Sequence, residues 1–168
     1  TMIARRHLRQ LYVDADIGIT GANFLVAETG QISITENEGN ARLTAALPRI
    51  HIALSGIEKV VSRLDDLAVL LPMLATAGAG QPMTCYNTLY AGPRKPGECD
   101  GPEQFHLVLL DNARTRLLAD PEQRDALHCI RCGACLNVCP IFKNIGGLAY
   151  GTTYQGPIGS VITPHLRG

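Results

Sequence analysis

Apolar side chains recur at helical spacing over residues 3–13, with Ile3, Leu8, Leu11 and Tyr12 on one side and Arg5, Arg6, Arg9 and Gln10 largely elsewhere. That pattern predicts an amphipathic helix whose arginines form a solvated face rather than a phosphate site. The period then drops to two. Residues 16–20 predict a short strand ending at Gly21, and 24–28 with 31–35 predict an antiparallel pair turned at Thr29-Gly30. The polar stretch Glu36-Asn37-Glu38-Gly39-Asn40 reads as a loop, since glycine and asparagine suit positive φ. Residues 42–47 predict a helical turn or two closed by Pro48, and 50–54 a buried strand ended at Ser55-Gly56. Residues 57–63 match neither period well.

Asp65 is placed to cap a helix running to Ala77, with Gly78 as its stop and Pro72 as an internal kink or break. Residues 84–90 predict another strand, while 92–102, with three prolines and three glycines, form a long irregular loop. The continuous apolar run 105–110 predicts a strand buried on both faces. Asn112 starts a short helix through Leu118, and Asp120-Pro121-Glu122-Gln123 has the form of a helix start, with Asp as cap and Pro at the first position. Strands alternating with helical stretches predict an α/β layer with a partly parallel sheet.

The last predicted helix leads into a run of another kind. Cys129, Cys132, Cys135 and Cys139 are spaced C-x2-C-x2-C-x3-C and followed by Pro140, the bacterial ferredoxin pattern for a [4Fe–4S] cluster. Three thiolates at i, i+3 and i+6 on a tight loop can wrap one cubane, with Gly133 relaxing the backbone. The fourth is expected to leave on a short helix that Pro140 ends or redirects. Structural zinc sites instead join two C-x2-C knuckles across a gap of a dozen residues or more, and no such gap exists here. In two-cluster ferredoxins the fourth cysteine of each run ligates the other cluster. With one run in the sequence, Cys139 either closes the same cluster in a variant way or serves one whose remaining ligands lie elsewhere. Residues 146–151 and Gly156-Pro157-Ile158-Gly159 read as loops able to wrap the cluster.

Composition narrows the function. Fifteen basic and fifteen acidic side chains leave no net charge, which disfavours nucleic acid and anionic membrane surfaces as partners. Hydrophobic content of 46% with 18% charged residues is that of a globular chain, and no apolar run reaches the length of a membrane-spanning helix. Thiolates committed to a cluster need a reducing compartment, so a cytoplasmic protein without a secretory signal is expected, with Cys85 and Cys99 as reduced bystanders. The chain starts mid-pattern and ends without a natural stop, as an excised piece would.

Beyond the cysteines, no G-x-G-x-x-G follows a strand and no G-x-x-x-x-G-K-[ST] occurs. A cluster passes single electrons, so a relay of electrons is expected rather than a hydride step. The loops Thr20-Gly21-Ala22-Asn23 and 36–40 concentrate polar residues at strand ends, where open α/β sheets bind ligands. Glu28, Glu36 and Glu38 could act there as bases and Thr20, Asn37 and Asn40 as donors, although turn geometry alone explains these residue types. His51 and His106 sit in strand patterns as structural residues, and His128 adjoins the first cysteine as an exposed neighbour.

The segments 15–24, 27–30 and 36–42, the loop from Gly92-Pro93-Arg94 to Asp100-Gly101-Pro102, the run 129–140, and Tyr150-Gly151 with 156–159 together resemble the LUD-domain iron–sulfur proteins of the lactate utilization B family. The resemblance implies an internal fragment: residues 1–119 the C-terminal part of a LUD α/β domain, with a sheet of the ribose-5-phosphate isomerase and CoA-transferase type, and 120–168 the first half of a ferredoxin-like [4Fe–4S] segment. It implies two clusters in the full-length protein, with Cys129, Cys132, Cys135 and Cys139 as ligands in this part. It further implies an iron–sulfur subunit that oxidises L-lactate to pyruvate with a cysteine-rich subunit and a second LUD subunit, passing electrons to an unidentified acceptor. Two other readings stand beside it: an assembly module with a structural or redox-sensing cluster, and an isomerase- or transferase-like enzyme using Glu36 or Glu38.

Overall fold

The computed structural model describes residues 2–167 and falls into two units. The first runs to Ser55 and resumes over Lys59–Leu64 and Thr84–Leu110. It contains α1 (Met2–Asp14), β1 (Ile17–Gly21), β2 (Phe24–Val26), β3 (Gln31–Glu36), α2 (Asn40–Ala46), β4 (Ile50–Gly56, its last residue grouped with the second unit), β5 (Val60–Val61), β6 (Tyr86–Tyr90) and β7 (Gln104–Leu110). The strands form two sheets, ordered β1-β4-β7 and β5-β2-β3-β6. β1 and β4 are parallel, with Ile17 opposite Ile50 and Gly21 opposite Leu54. β3 is antiparallel to β2 and to β6, and β2 runs parallel to β5. The α/β class and the partly parallel pairing are as the sequence implies, although the layer is divided between two sheets.

The hairpin closes where Thr29-Gly30 predicts it, with Gly30 at φ 70° donating its N–H to the Val26 carbonyl at 2.8 Å. Ala22, Leu25, Ile32, Ile34 and Ala53 form the core of this unit, with Tyr90 and Phe105 packed against it. Helix α2 lies so close to β1 that a Cβ on Gly18 would fall 1.8 Å from the Thr44 carbonyl oxygen. It starts two residues before the expected position because the Glu36 carboxylate accepts the N–H groups of Ala41 and Arg42, at 2.6 and 2.8 Å.

Two expectations fail here. β7 is an edge strand whose Leu107, Val108, Leu109 and Leu110 are all exposed, rather than a strand buried on both faces. β4 is buried alternately, at His51, Ala53 and Ser55, not throughout. The apolar stripe of α1 is exposed at Ile3, Leu8 and Leu11, and Leu8, Leu11 and Tyr12 border a groove of about 260 Å³ with Ile17, Ile19 and Pro48.

The second unit comprises Gly56–Glu58, Asp65–Met83 and the chain from Asp111 on. Its helices are α3 (Leu67–Ala79), α4 (Arg114–Leu118), α5 (Ala134–Val138), α6 (Pro140–Ile145) and α7 (Gly156–Arg167). α3 runs past Pro72 and past Gly78 to Gly80, which takes the left-handed conformation at φ 68° and donates its N–H to Thr76. The expected helix from Asp120 is instead a turn followed by a 3-10 helix over Arg124–His128, with the Asp120 carboxylate accepting the Glu122 N–H at 2.9 Å. Residues 156–159 begin α7 rather than form a loop. Pro157 suits a first helical turn, and a Cβ on Gly159 would meet the Tyr154 carbonyl at 2.5 Å. Leu117, Leu127 and Ile162 form the core, joined by Tyr154, Ile158 and Leu166. Among the described residues no helix is long and apolar enough to cross a membrane.

Candidate metal centre

The 3-10 helix Arg124–His128 ends at Cys129, which leaves it in an extended conformation. The loop that follows turns back through two left-handed residues, Arg131 at φ 62° and Gly133 at φ 79°. Glycine adopts that region freely, whereas at a non-glycine residue it carries strain that surrounding contacts must hold. Gly133 opens α5, which carries Cys135, and Asn137 on the same helix donates its side-chain N–H to the Ala77 carbonyl of α3 at 2.8 Å. Cys139 ends α5 and caps α6, its sulfur accepting the Phe142 N–H at 3.5 Å. α5 ends just before Pro140, and Pro140 redirects the chain by starting α6, where the first helical position needs no N–H. Loss of hydration, and after it the Cys139 thiolate, raises the pKa of the Tyr150 phenol above its ordinary value.

Arg131 is held by residues remote in sequence. Its Nη2 donates to Glu58 at 3.2 Å, its Nη1 to the Cys129 carbonyl at 3.5 Å, and its guanidinium carbon lies 4.4 Å from the Tyr154 ring centre. The Glu58 carboxylate, 1% exposed, also takes the Arg114 Nε at 2.5 Å. Arg114, itself buried, donates further to the Asp111 carbonyl and the Tyr154 hydroxyl, both at 3.0 Å. Burial opposes the Arg131 charge, but the neighbouring Cys129 thiolate and Tyr154 outweigh it and leave its pKa raised. Sequence reasoning missed all four residues. Only the position of Arg131 between two cysteines signals it, since Glu58 lies 73 residues earlier.

All four cysteines are half-buried and none is in a disulfide. Among the described residues no three His, Cys, Asp or Glu side chains converge closely enough to hold one metal ion. Four cysteines at C-x2-C-x2-C-x3-C spacing followed by proline are a donor set that fits a [4Fe–4S] cluster.

The other candidates fall into place around backbone. Glu36 anchors α2, Glu38 accepts the Asn37 N–H at 3.1 Å, and Glu28 accepts the Leu64 N–H at 3.1 Å. Asn37 accepts the Cys85 N–H at 2.9 Å. Thr20, Gly21, Asn23 and Asn40 do come together, bordering a cavity of about 390 Å³ with Lys59, which the sequence did not single out. His51 is fully buried, its Nε2 2.7 Å from the Thr20 hydroxyl, and desolvation lowers its pKa. His106 is exposed, and His128, also exposed, lies 3.8 Å from Asp125. Cys85 and Cys99 are free and exposed.

The LUD domain family matches residues 1–110, well over half of the chain. The chain belongs to the LUD-domain family. Residues 125–166 match the 4Fe-4S dicluster domain, so an iron–sulfur segment follows the LUD domain, and the cysteine run implies that it binds a cluster. The chain is a homologue of lactate utilization protein B. Lactate utilization protein B of Shouchella clausii is 52% identical over 168 residues, all of this chain and 35% of that protein. The uncharacterized electron transport protein YkgF of Escherichia coli is 51% identical over the same 168 residues and 35% of its length. Lactate utilization protein B of Bacillus subtilis is 48% identical over 99% of this chain and 35% of its own. The chain thus spans about a third of these relatives. The crystal structure of a DUF162 family protein from Deinococcus radiodurans overlaps 60% of this chain and 57% of that one, at a TM-score of 0.45 and 18% identity.

Proposed function

We propose that this LUD-domain chain is part of the iron–sulfur electron-transfer subunit of a cytoplasmic complex that oxidises L-lactate to pyruvate. The observation that carries the reading is the run 129–140, four unbridged thiols on a loop that turns through two left-handed residues. Cys129, Cys132 and Cys135 hold one [4Fe–4S] cluster. Cys139, set beyond α5 at the start of the next helix, reaches a second one, in keeping with the ferredoxin pattern. The names of the relatives, lactate utilization and electron transport, support the same assignment.

When bound, a cluster of this kind supplies one-electron transfer. Lactate oxidation removes two electrons, so the LUD-domain chain relays them, and a cysteine-rich subunit and a second LUD subunit complete the reaction. In this reading the LUD portion extends to residue 119, and the ferredoxin-like half begins at residue 120. The cysteines bind and orient the cluster.

The test uses the full-length protein, loaded anaerobically, with its partner subunits. Lactate bleaches the cluster absorbance of the complete complex, and Cys132→Ser abolishes both the bleaching and turnover. Undiminished lactate turnover in the Cys132→Ser complex would rule out the relay.

A further inference from the structure

The cluster reading above leaves one buried group of charges without a role. Glu58 faces two guanidiniums, Arg114 at 2.5 Å and Arg131 at 3.2 Å, so the group carries one positive charge in excess. It is a built arrangement. A Cβ on Gly56 would fall 2.0 Å from the Glu58 Oε2 and 2.8 Å from the Arg114 Nε, so a side chain there would displace the carboxylate and the guanidinium from this arrangement. The Arg131 side chain is 17% exposed, lies against Tyr154, and stems from a strained backbone position between Cys129 and Cys132.

An ion pair serving stability alone has no need of a second arginine drawn from inside a ligand loop. Replacing such buried charges with apolar side chains is often neutral or stabilising. Arginine keeps its charge at any working pH, and its planar fork can be fixed by several partners at once. Cluster potentials respond to net charge and to hydrogen bonding around the sulfurs, and reduction adds one negative charge.

We propose that Glu58 and Arg114 are positioning residues that fix the Arg131 guanidinium inside the cysteine loop, where its permanent positive charge raises the reduction potential of the cluster held by that loop. Glu58 acts through Arg131. Its own negative charge, taken by itself, would lower the potential. Its removal releases the guanidinium to solvent and therefore lowers the potential too.

This opposition of signs supplies the test. The full-length, cluster-loaded protein is titrated spectroelectrochemically, as wild type and as Arg131→Gln, Arg131→Lys, Glu58→Gln and the double variant Glu58→Gln/Arg131→Gln. Arg131→Gln lowers one cluster potential by about tenfold in the one-electron equilibrium, about 59 mV, and Arg131→Lys restores part of it. Glu58→Gln lowers the same potential, whereas in the double variant the lost carboxylate charge raises the potential slightly above that of Arg131→Gln alone, since no guanidinium remains for Glu58 to position. A rise in Glu58→Gln, the direction expected of a bystander carboxylate, overturns the positioning role. An unchanged potential in Arg131→Gln overturns the proposal even if Glu58→Gln does not fold, since Arg131→Gln leaves Glu58 paired with Arg114. Wild-type protein that holds no iron overturns the cluster reading itself, a result separate from unmoved potentials in a loaded protein.

Discussion

Gly18→Ala tests the packing of the LUD unit where one methyl group has least room. The added Cβ would lie 1.8 Å from the Thr44 carbonyl oxygen, 2.9 Å from its carbon and 3.1 Å from the Pro48 ring. Ordinary contact begins near 3.4 Å, so α2 and β1 must separate by about 1.6 Å, the difference between that and 1.8 Å. The obstacle is backbone and cannot rotate away. Both neighbours are fixed in turn: Gly18 is in register with His51 of β4, and Ala45 on α2 is fully buried. Overpacking of this kind costs about 1–3 kcal/mol, while Gly→Ala returns about 0.4–1 kcal/mol by restricting the unfolded chain. Because the obstacle is backbone, the overpacking cost lies at its upper end, and the net expectation is a loss of about 2–2.6 kcal/mol, read as a lower urea midpoint at unchanged slope. Gly30→Ala is the control: with φ 70° and nothing within 4 Å of the added Cβ, it suffers backbone strain only. A Gly18→Ala protein as stable as wild type would refute the close approach of α2 to β1.

Glu36→Ala removes the acceptor of two backbone N–H groups at the start of α2, and a loss of about 2–3 kcal/mol in urea unfolding is expected. Glu36→Gln, which keeps one amide oxygen, should lose less, and equal losses would contradict a charge-assisted cap. His51 is buried with its pKa lowered below 6.5 by desolvation. The unfolded chain therefore binds the extra proton first, so stability is full above about pH 6.5 and falls as pH drops from there toward the folded-state pKa. His51→Gln should flatten that part of the stability profile. A profile as steep as wild type would place the titrating group elsewhere.

What the sequence made legible was local. The hairpin at Thr29-Gly30 and the parallel α/β character follow from period and turn chemistry within a few residues. The cysteine spacing agrees with the 4Fe-4S dicluster match over residues 125–166, because the pattern lies within one short stretch of sequence. Misreadings arose where a proline or glycine has two meanings. Pro157 opens a helix where its missing N–H is harmless, and Gly78 is passed over because Gly80 supplies the left-handed cap. The run 105–110 is apolar enough for a buried strand, but composition does not say what covers its faces, and β7 lies at a sheet edge. Long-range pairing was invisible. Glu58 meets Arg114 across 56 residues and Arg131 across 73, and no periodicity encodes such a meeting.

Iron and acid-labile sulfide, counted per chain in the anaerobically purified full-length protein, test the cluster assignment most directly. About eight of each, for two cubane clusters, is the expected count, and Cys132→Ser should lose about half of it. A single zinc per chain without sulfide, or iron unaffected by Cys132→Ser, would contradict the assignment of the 129–140 run to an iron–sulfur cluster.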